Sequence, residues 1–177
     1  MPVIWLTGLS GAGKSTIAQE LSNHIDAQVV DGDVIRRTVC TDVPHGKIDR
    51  KDYLTRVIAY INKLLKECEF VIVAIVSPEK TWREWTKVQL EQAGITYYEI
   101  YVEASLETCE QRDVKGLYGR YRTGEDIKLA GLTEEYDKPE DPLVVCNTET
   151  KTIPECVEQI LEKLDAILCT QFWRKRP

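Results

Sequence analysis

Gly8-Leu9-Ser10-Gly11-Ala12-Gly13-Lys14-Ser15 has the residue types and spacing to hold a chain of phosphates. Three glycines let the backbone curl so that consecutive N–H groups point inward, and a helix beginning at their end adds partial positive charge. Within that pattern Lys14 reaches the outer phosphates and Ser15 ligates magnesium. A second set of groups stands at Asp31-Gly32-Asp33. Asp31 is assigned mainly to a helix cap or a supporting role, and Asp33 to the chemistry, where a carboxylate holds a magnesium-bound water or takes the proton of an attacking hydroxyl. Arg36 and Arg50 are spaced to clamp an anionic substrate, whereas Arg37 and Lys47 read as a solvated face. Ser77 follows an apolar run that lacks the terminal aspartate found in many phosphate-loop enzymes, which leaves the metal-organising duty to Asp33. With no base beside it in sequence, Ser77 is assigned a hydrogen bond to substrate or backbone rather than a nucleophilic role.

These groups need elements that bring them to one edge. Short apolar runs at Val3–Leu6, Ala27–Val30, Val71–Ile75, Tyr97–Val102 and Leu143–Cys146 alternate with helical patterns. The run at 71–75 is continuous, as expected of a parallel strand covered on both faces. Leu54, Val57, Ile58, Ile61, Leu64, Leu65 and Cys68 recur at three and four and predict a long helix, and Ile153, Val157, Ile160, Leu161, Leu164 and Leu168 predict another. Strand and helix in alternation imply a parallel α/β sheet with helices on both faces and ligands at the carboxyl ends of its strands. The segment from about 112 to 130 combines glycines with Arg112, Lys115, Arg120 and Arg122, and reads as a lid that closes cations over phosphates and excludes water.

The chain has 177 residues, 43% of them hydrophobic and 29% charged, which suits one domain over 1–177. A net charge of −6 argues against general affinity for nucleic acid or an anionic membrane. No apolar run approaches the length of a membrane span, and the phosphate loop begins too early to leave room for a signal peptide, so a cytoplasmic location is expected. Six cysteines without a C-x-x-C pair, beside only two histidines, read as buried free thiols rather than a zinc site. The basic end, Arg174-Lys175-Arg176-Pro177, reads as a frayed tail.

Taken in order, the motifs resemble the adenylylsulfate kinase family. The likeness runs through Trp5-Leu6-Thr7-Gly8-Leu9-Ser10-Gly11-Ala12-Gly13-Lys14-Ser15-Thr16, Asp31-Gly32-Asp33 with Arg36, Asp49-Arg50, Ser77-Pro78, Cys109-Glu110-Gln111-Arg112-Asp113 and Lys115-Gly116-Leu117-Tyr118. Weaker matches follow at Arg122 to Glu125, at Gly131 and at Tyr136-Asp137-Lys138-Pro139. The resemblance implies a P-loop NTPase fold with a five-stranded parallel sheet and a short lid. It also implies phosphorylation by ATP, with Mg2+, of the ribose 3'-hydroxyl of adenylyl sulfate, by an enzyme of sulfate assimilation that forms a homodimer. Gly8, Ser10, Gly11, Ala12, Gly13, Lys14, Ser15, Thr16 and Arg112 fall on the ATP side. Asp33, Arg36, His45, Arg50, Tyr53, Ser77, Lys115, Leu117 and Leu129 fall on the acceptor side. Asp33 stands beside the attacking hydroxyl and, with Ser15, on the metal.

The chain departs from the family pattern where the acceptor base is held. His45 and Leu129 replace two phenylalanines whose rings sandwich the adenine, Tyr53 replaces an asparagine, and Val114 replaces a proline. Aromatic stacking is worth about 1–3 kcal/mol per base, so these changes open a second expectation: the same reaction on a different nucleotide conjugate, for example a cytidine one. A catalytically dead nucleotide-binding switch is a third, opposed by retention of Asp33 and the lid cations.

Overall fold

The computed structural model describes residues 1–41 and 49–168. Five strands, β1 (Pro2–Thr7), β2 (Ala27–Asp31), β3 (Phe70–Ala74), β4 (Thr96–Glu103) and β5 (Val144–Asn147), pair in the order β2-β3-β1-β4-β5. Every pairing is parallel. The five apolar runs thus all become strands, with ends shifted by at most one residue.

Each central strand is buried on both sides because alternate residues feed two cores. Ile4 and Leu6 of β1, with Ile72 and Ala74 of β3, pack with Ile17, Ala18 and Leu21 of α1 (Lys14–His24) and Val157, Ile160, Leu161 and Leu164 of α7 (Ile153–Leu168). Val3, Trp5, Val71 and Val73 face the other way, against Leu54, Val57 and Ile61 of α3 (Arg50–Leu64) and Leu90 of α4 (Lys80–Gln92). The sheet is therefore sandwiched, and its carboxyl edge is left to loops.

Short polar caps start the helices that leave that edge. Asp31 accepts from the Asp33 N–H and opens α2 (Gly32–Thr38), Asp49 accepts from the N–H groups of Lys51 and Asp52 and opens α3, and Ser105 accepts from the Thr108 N–H and opens α5 (Leu106–Arg112). The helix predicted through Cys68 ends earlier, at Leu64. Leu65 is still buried, but the chain must reach β3 at Phe70, so it closes with a Glu67 N–H to Leu64 carbonyl bond, and the Cys68 thiol donates to the carbonyls of Leu64 and Phe70. An apolar residue that packs beyond a helix end is indistinguishable, by period alone, from one more turn. Cys109, Cys146 and Cys156 are buried free thiols, Cys40 is buried, and Cys68 is only half-buried. Among the described residues no helix is long and apolar enough to cross a membrane. Cys169 and the basic tail lie outside the described residues.

Candidate active site

The phosphate loop leaves β1 through Gly8, whose φ is 150° and where an added Cβ would meet the Val102 carbonyl oxygen at 2.3 Å. Only glycine allows that approach to the neighbouring strand. At the other end Gly13, with φ of 106°, caps α1 directly ahead of Lys14. The Lys14 ammonium is buried and donates to the carbonyls of Gly8 (2.9 Å) and Leu9 (2.7 Å). Burial first, and the nearby Lys115 cation second, push its pKa down to about 8. Ser15 and Thr16 are exposed at the same helix end. Side chains brace the loop from outside: the Tyr118 hydroxyl donates to the Ser10 carbonyl at 2.9 Å and the Thr148 hydroxyl to that of Ala12 at 2.8 Å. Arg112 donates to the Gly11 carbonyl (3.3 Å), the Thr148 hydroxyl (2.9 Å) and the Thr148 carbonyl (2.8 Å). Arg112 thus braces the loop through Gly11 and Thr148.

Asp31 does two jobs: one oxygen caps α2, and the other accepts a short hydrogen bond from the Ser15 hydroxyl. Asp33 projects half-exposed from the first turn of α2, and the Lys115 ammonium reaches it at 2.7 Å. That hydrogen bond, ahead of the opposing effect of burial, holds the Asp33 carboxyl below the usual carboxylate range. Two residues 82 positions apart are in this way brought together over the mouth of the loop.

The remaining acceptor-side residues fall at the same edge but with their own partners. Arg36 lies over the Tyr53 ring, 5.7 Å from its centroid, and burial pushes the Tyr53 phenol up. Arg50 pairs with Glu79 at 3.4 Å. Ser77 has φ of 44°, and its hydroxyl accepts from the Trp5 indole N–H at 3.2 Å. Leu117 is half-buried against the first core, and Leu129 is buried within it at 4% exposure, presenting almost no surface to a ligand. His45 lies outside the described residues.

Not every cation of the expected lid faces phosphates. In α6 (Leu117–Arg122) Arg120 pairs with Glu125 and Arg122 with Glu110, so Lys115 and Arg112 are the lid-segment cations that reach the site residues. Asp113 accepts from the N–H groups of Tyr118 and Gly119 and anchors the helix start. Thr148 and Tyr118 were not singled out from the sequence as loop braces. No local sequence signal marks Thr148, which follows β5.

A parallel sheet of this order, a glycine-rich loop at its central strand and an aspartate–lysine pair above it define a phosphate-loop phosphotransferase. The family model described as Adenylylsulphate kinase matches residues 1–147. The chain belongs to the adenylylsulfate kinase family. It is 40% identical over 169 residues to the adenylyl-sulfate kinase of Gloeothece citriformis (strain PCC 7424), covering 93% of this chain and 94% of that one. It is 36% identical over 166 residues to that of Picosynechococcus sp. (strain ATCC 27264 / PCC 7002 / PR-6), covering 91% and 92%. Among solved structures it is similar to the Mycobacterium tuberculosis APS kinase CysC in complex with AMPPNP and APS, with TM-score 0.82, 30% identity and coverage of 93% and 97%.

Proposed function

We propose that the protein transfers the terminal phosphoryl group of ATP to the ribose 3'-hydroxyl of adenylyl sulfate, giving 3'-phosphoadenylyl sulfate. The observation that carries this reading is the Asp33–Lys115 pair beside the phosphate loop: an ionised carboxylate and a mobile-length cation at the point where a hydroxyl must meet a phosphate. Lys14 exchanges the Gly8 and Leu9 carbonyls for phosphate oxygens, and the loop N–H groups and the start of α1 spread the negative charge. Asp33 aligns the acceptor hydroxyl and receives its proton. The transition state of phosphoryl transfer is loose, so orientation and charge neutralisation outweigh base strength, which suits a carboxylate as the proton acceptor. Lys115, released from Asp33, is placed to reach the anionic groups of either substrate. Arg36 and Arg50 face the acceptor's phosphosulfate.

The donor set fits magnesium. Ser15 offers an exposed hydroxyl whose proton is directed onto Asp31, leaving its lone pairs outward, and Asp33 offers a half-exposed carboxylate. Magnesium takes few protein ligands and fills its shell with water and phosphate, so two hard oxygens suffice. When bound it supplies neutralisation of charge between the phosphates.

A second acceptor remains in play because Leu129 is buried and Arg50 is already paired with Glu79. A base site without the Leu129 side chain is less selective for adenine, and the second reading is the same reaction on another nucleotide conjugate such as a cytidine one. Offering ATP, magnesium and a panel of nucleotide conjugates tests the choice: highest kcat/KM on adenylyl sulfate supports the first acceptor, and a hundredfold preference for another overturns it. The family resemblance adds a cytoplasmic homodimer of sulfate assimilation. A relative solved from Thiobacillus denitrificans is described as a hexameric APS kinase, so sedimentation is the check on assembly.

A further inference from the structure

Arg83, on α4, is 4% exposed, and the proposed chemistry does not use it. All three nitrogens of its guanidinium are engaged. One terminal nitrogen donates to the carbonyls of Ser77 (2.8 Å) and Pro78 (3.0 Å), the other to that of Asp137 (2.7 Å), and Nε pairs with Glu99 at 3.0 Å. The Tyr136 ring lies 5.8 Å away. The three carbonyls and the Tyr136 ring belong to two irregular segments, the turn after β3 and the strap that follows the lid, while Glu99 lies on β4.

The two segments are bonded to each other as well. The Asp137 N–H donates to the Pro78 carbonyl, and the Asp137 carboxylate accepts from the Lys80 N–H, each at 2.9 Å. The Tyr136 hydroxyl pairs with Thr7 at 2.8 Å, and Thr7 donates to the Val76 carbonyl at 2.6 Å. Val76 also accepts from the Gly8 N–H at 3.4 Å, so the turn touches the first residue of the phosphate loop. Ser77 itself sits at a left-handed φ of 44°, a region that a non-glycine residue keeps only where surrounding bonds hold it.

We propose that Arg83 is a positioning residue for the acceptor side: it holds the Ser77–Pro78 turn against the Tyr136–Asp137 strap and so sets where Ser77 stands relative to the phosphate loop. The proposal rests on the reading of Ser77 as an acceptor contact. A fork of fixed geometry is needed to span three carbonyls and one carboxylate, and a lysine ammonium offers charge without that span. Glu99 completes the arrangement; burial raises its pKa, and Arg83 opposes that shift by keeping a counter-charge at 3.0 Å.

The test compares Arg83→Lys with the paired change Arg83→Gln/Glu99→Gln, which leaves no unpaired buried carboxylate, and with Ser77→Ala. Expected for both Arg83 variants are ATP affinity within about twofold of the parent and acceptor KM raised about tenfold or more, since a small misplacement at a reacting site is costly. Amide exchange at Lys80 and Asp137 should accelerate while Ile17 in α1 keeps its protection. Unchanged exchange at Lys80 and Asp137 overturns the proposal whatever the acceptor. Faster exchange with unchanged acceptor KM also overturns it, leaving Arg83 a staple without bearing on the site. If Ser77→Ala leaves KM unaltered while Arg83→Lys raises it, the reading of Ser77 as an acceptor contact fails, and with it the proposal that Arg83 acts through Ser77.

Discussion

The burial of Lys14 makes nucleotide affinity depend on pH in a range where few other groups titrate. Its ammonium is buried in protein and repelled by Lys115, with Cys109 and Asp31 acting in the opposite direction, which together bring the pKa to about 8. With that pKa about nine-tenths of the molecules carry the charge at pH 7 and about one-tenth at pH 9. A bound triphosphate favours the charged form, so the dissociation constant for ATP should weaken about tenfold between pH 7 and pH 9, or about 1.4 kcal/mol. Near pH 8 binding should take up about half a proton. Titration calorimetry in buffers of different ionisation enthalpy reads both quantities. A dissociation constant that stays flat from pH 7 to 9, with no proton uptake at pH 8, refutes the reasoning. The same shift has a consequence for stability. The folded pKa lies below the unfolded value of 10.5, so the unfolded chain binds more protons between them and stability should rise with pH from about 8 to 10.5. The strain relieved is of order 3 kcal/mol, which Lys14→Met should recover at pH 7 while abolishing ATP binding.

Other perturbations separate the parts of the site. Gly8→Ala should cost several kcal/mol in denaturant titrations or shift the loop enough to abolish nucleotide binding, because the new methyl would press on the Val102 carbonyl; parent-like stability and affinity would contradict the close approach. Thr148→Val should weaken ATP binding through loss of the brace on Ala12 and Arg112, measurable as a several-fold rise in dissociation constant with acceptor KM unchanged. Glu79→Gln should free Arg50 and lower the KM of an anionic acceptor, more so at low salt; no change in KM or in its salt dependence would show that the pair does not compete with substrate.

Much of this site could be read from residues in order along the chain. The phosphate loop is a contiguous eight-residue pattern, and the strands declare themselves by apolar runs, of which β1 and β3 are buried almost throughout. The cap expected of Asp31 is present, and the structure adds to it the contact with Ser15. What local patterns could not carry are pairings between distant segments. Lys115 meets Asp33 across 82 residues, and Arg83 bonds Asp137 across 54. Arg83 was passed over because an arginine on a helix ordinarily faces water, and only the convergence of four partners makes its burial tolerable. Leu129 was expected beside the acceptor base, yet a leucine in place of an aromatic ring is drawn into the apolar core, where it buries its whole side chain. Arg120 and Arg122 carried the charge of a lid, but each has a glutamate within reach and pairs with it.

The central claim is that Asp33 directs phosphoryl transfer onto a ribose hydroxyl. The most direct test follows ATP, magnesium and adenylyl sulfate by phosphorus NMR with the parent protein and with Asp33→Asn. The account predicts a new 3'-phosphomonoester from the parent, and from Asp33→Asn a loss of about 10²–10⁴ in kcat with ATP affinity preserved. Equal rates of 3'-phosphorylation from both proteins, or a parent that hydrolyses ATP and leaves every acceptor hydroxyl unmodified, would contradict it.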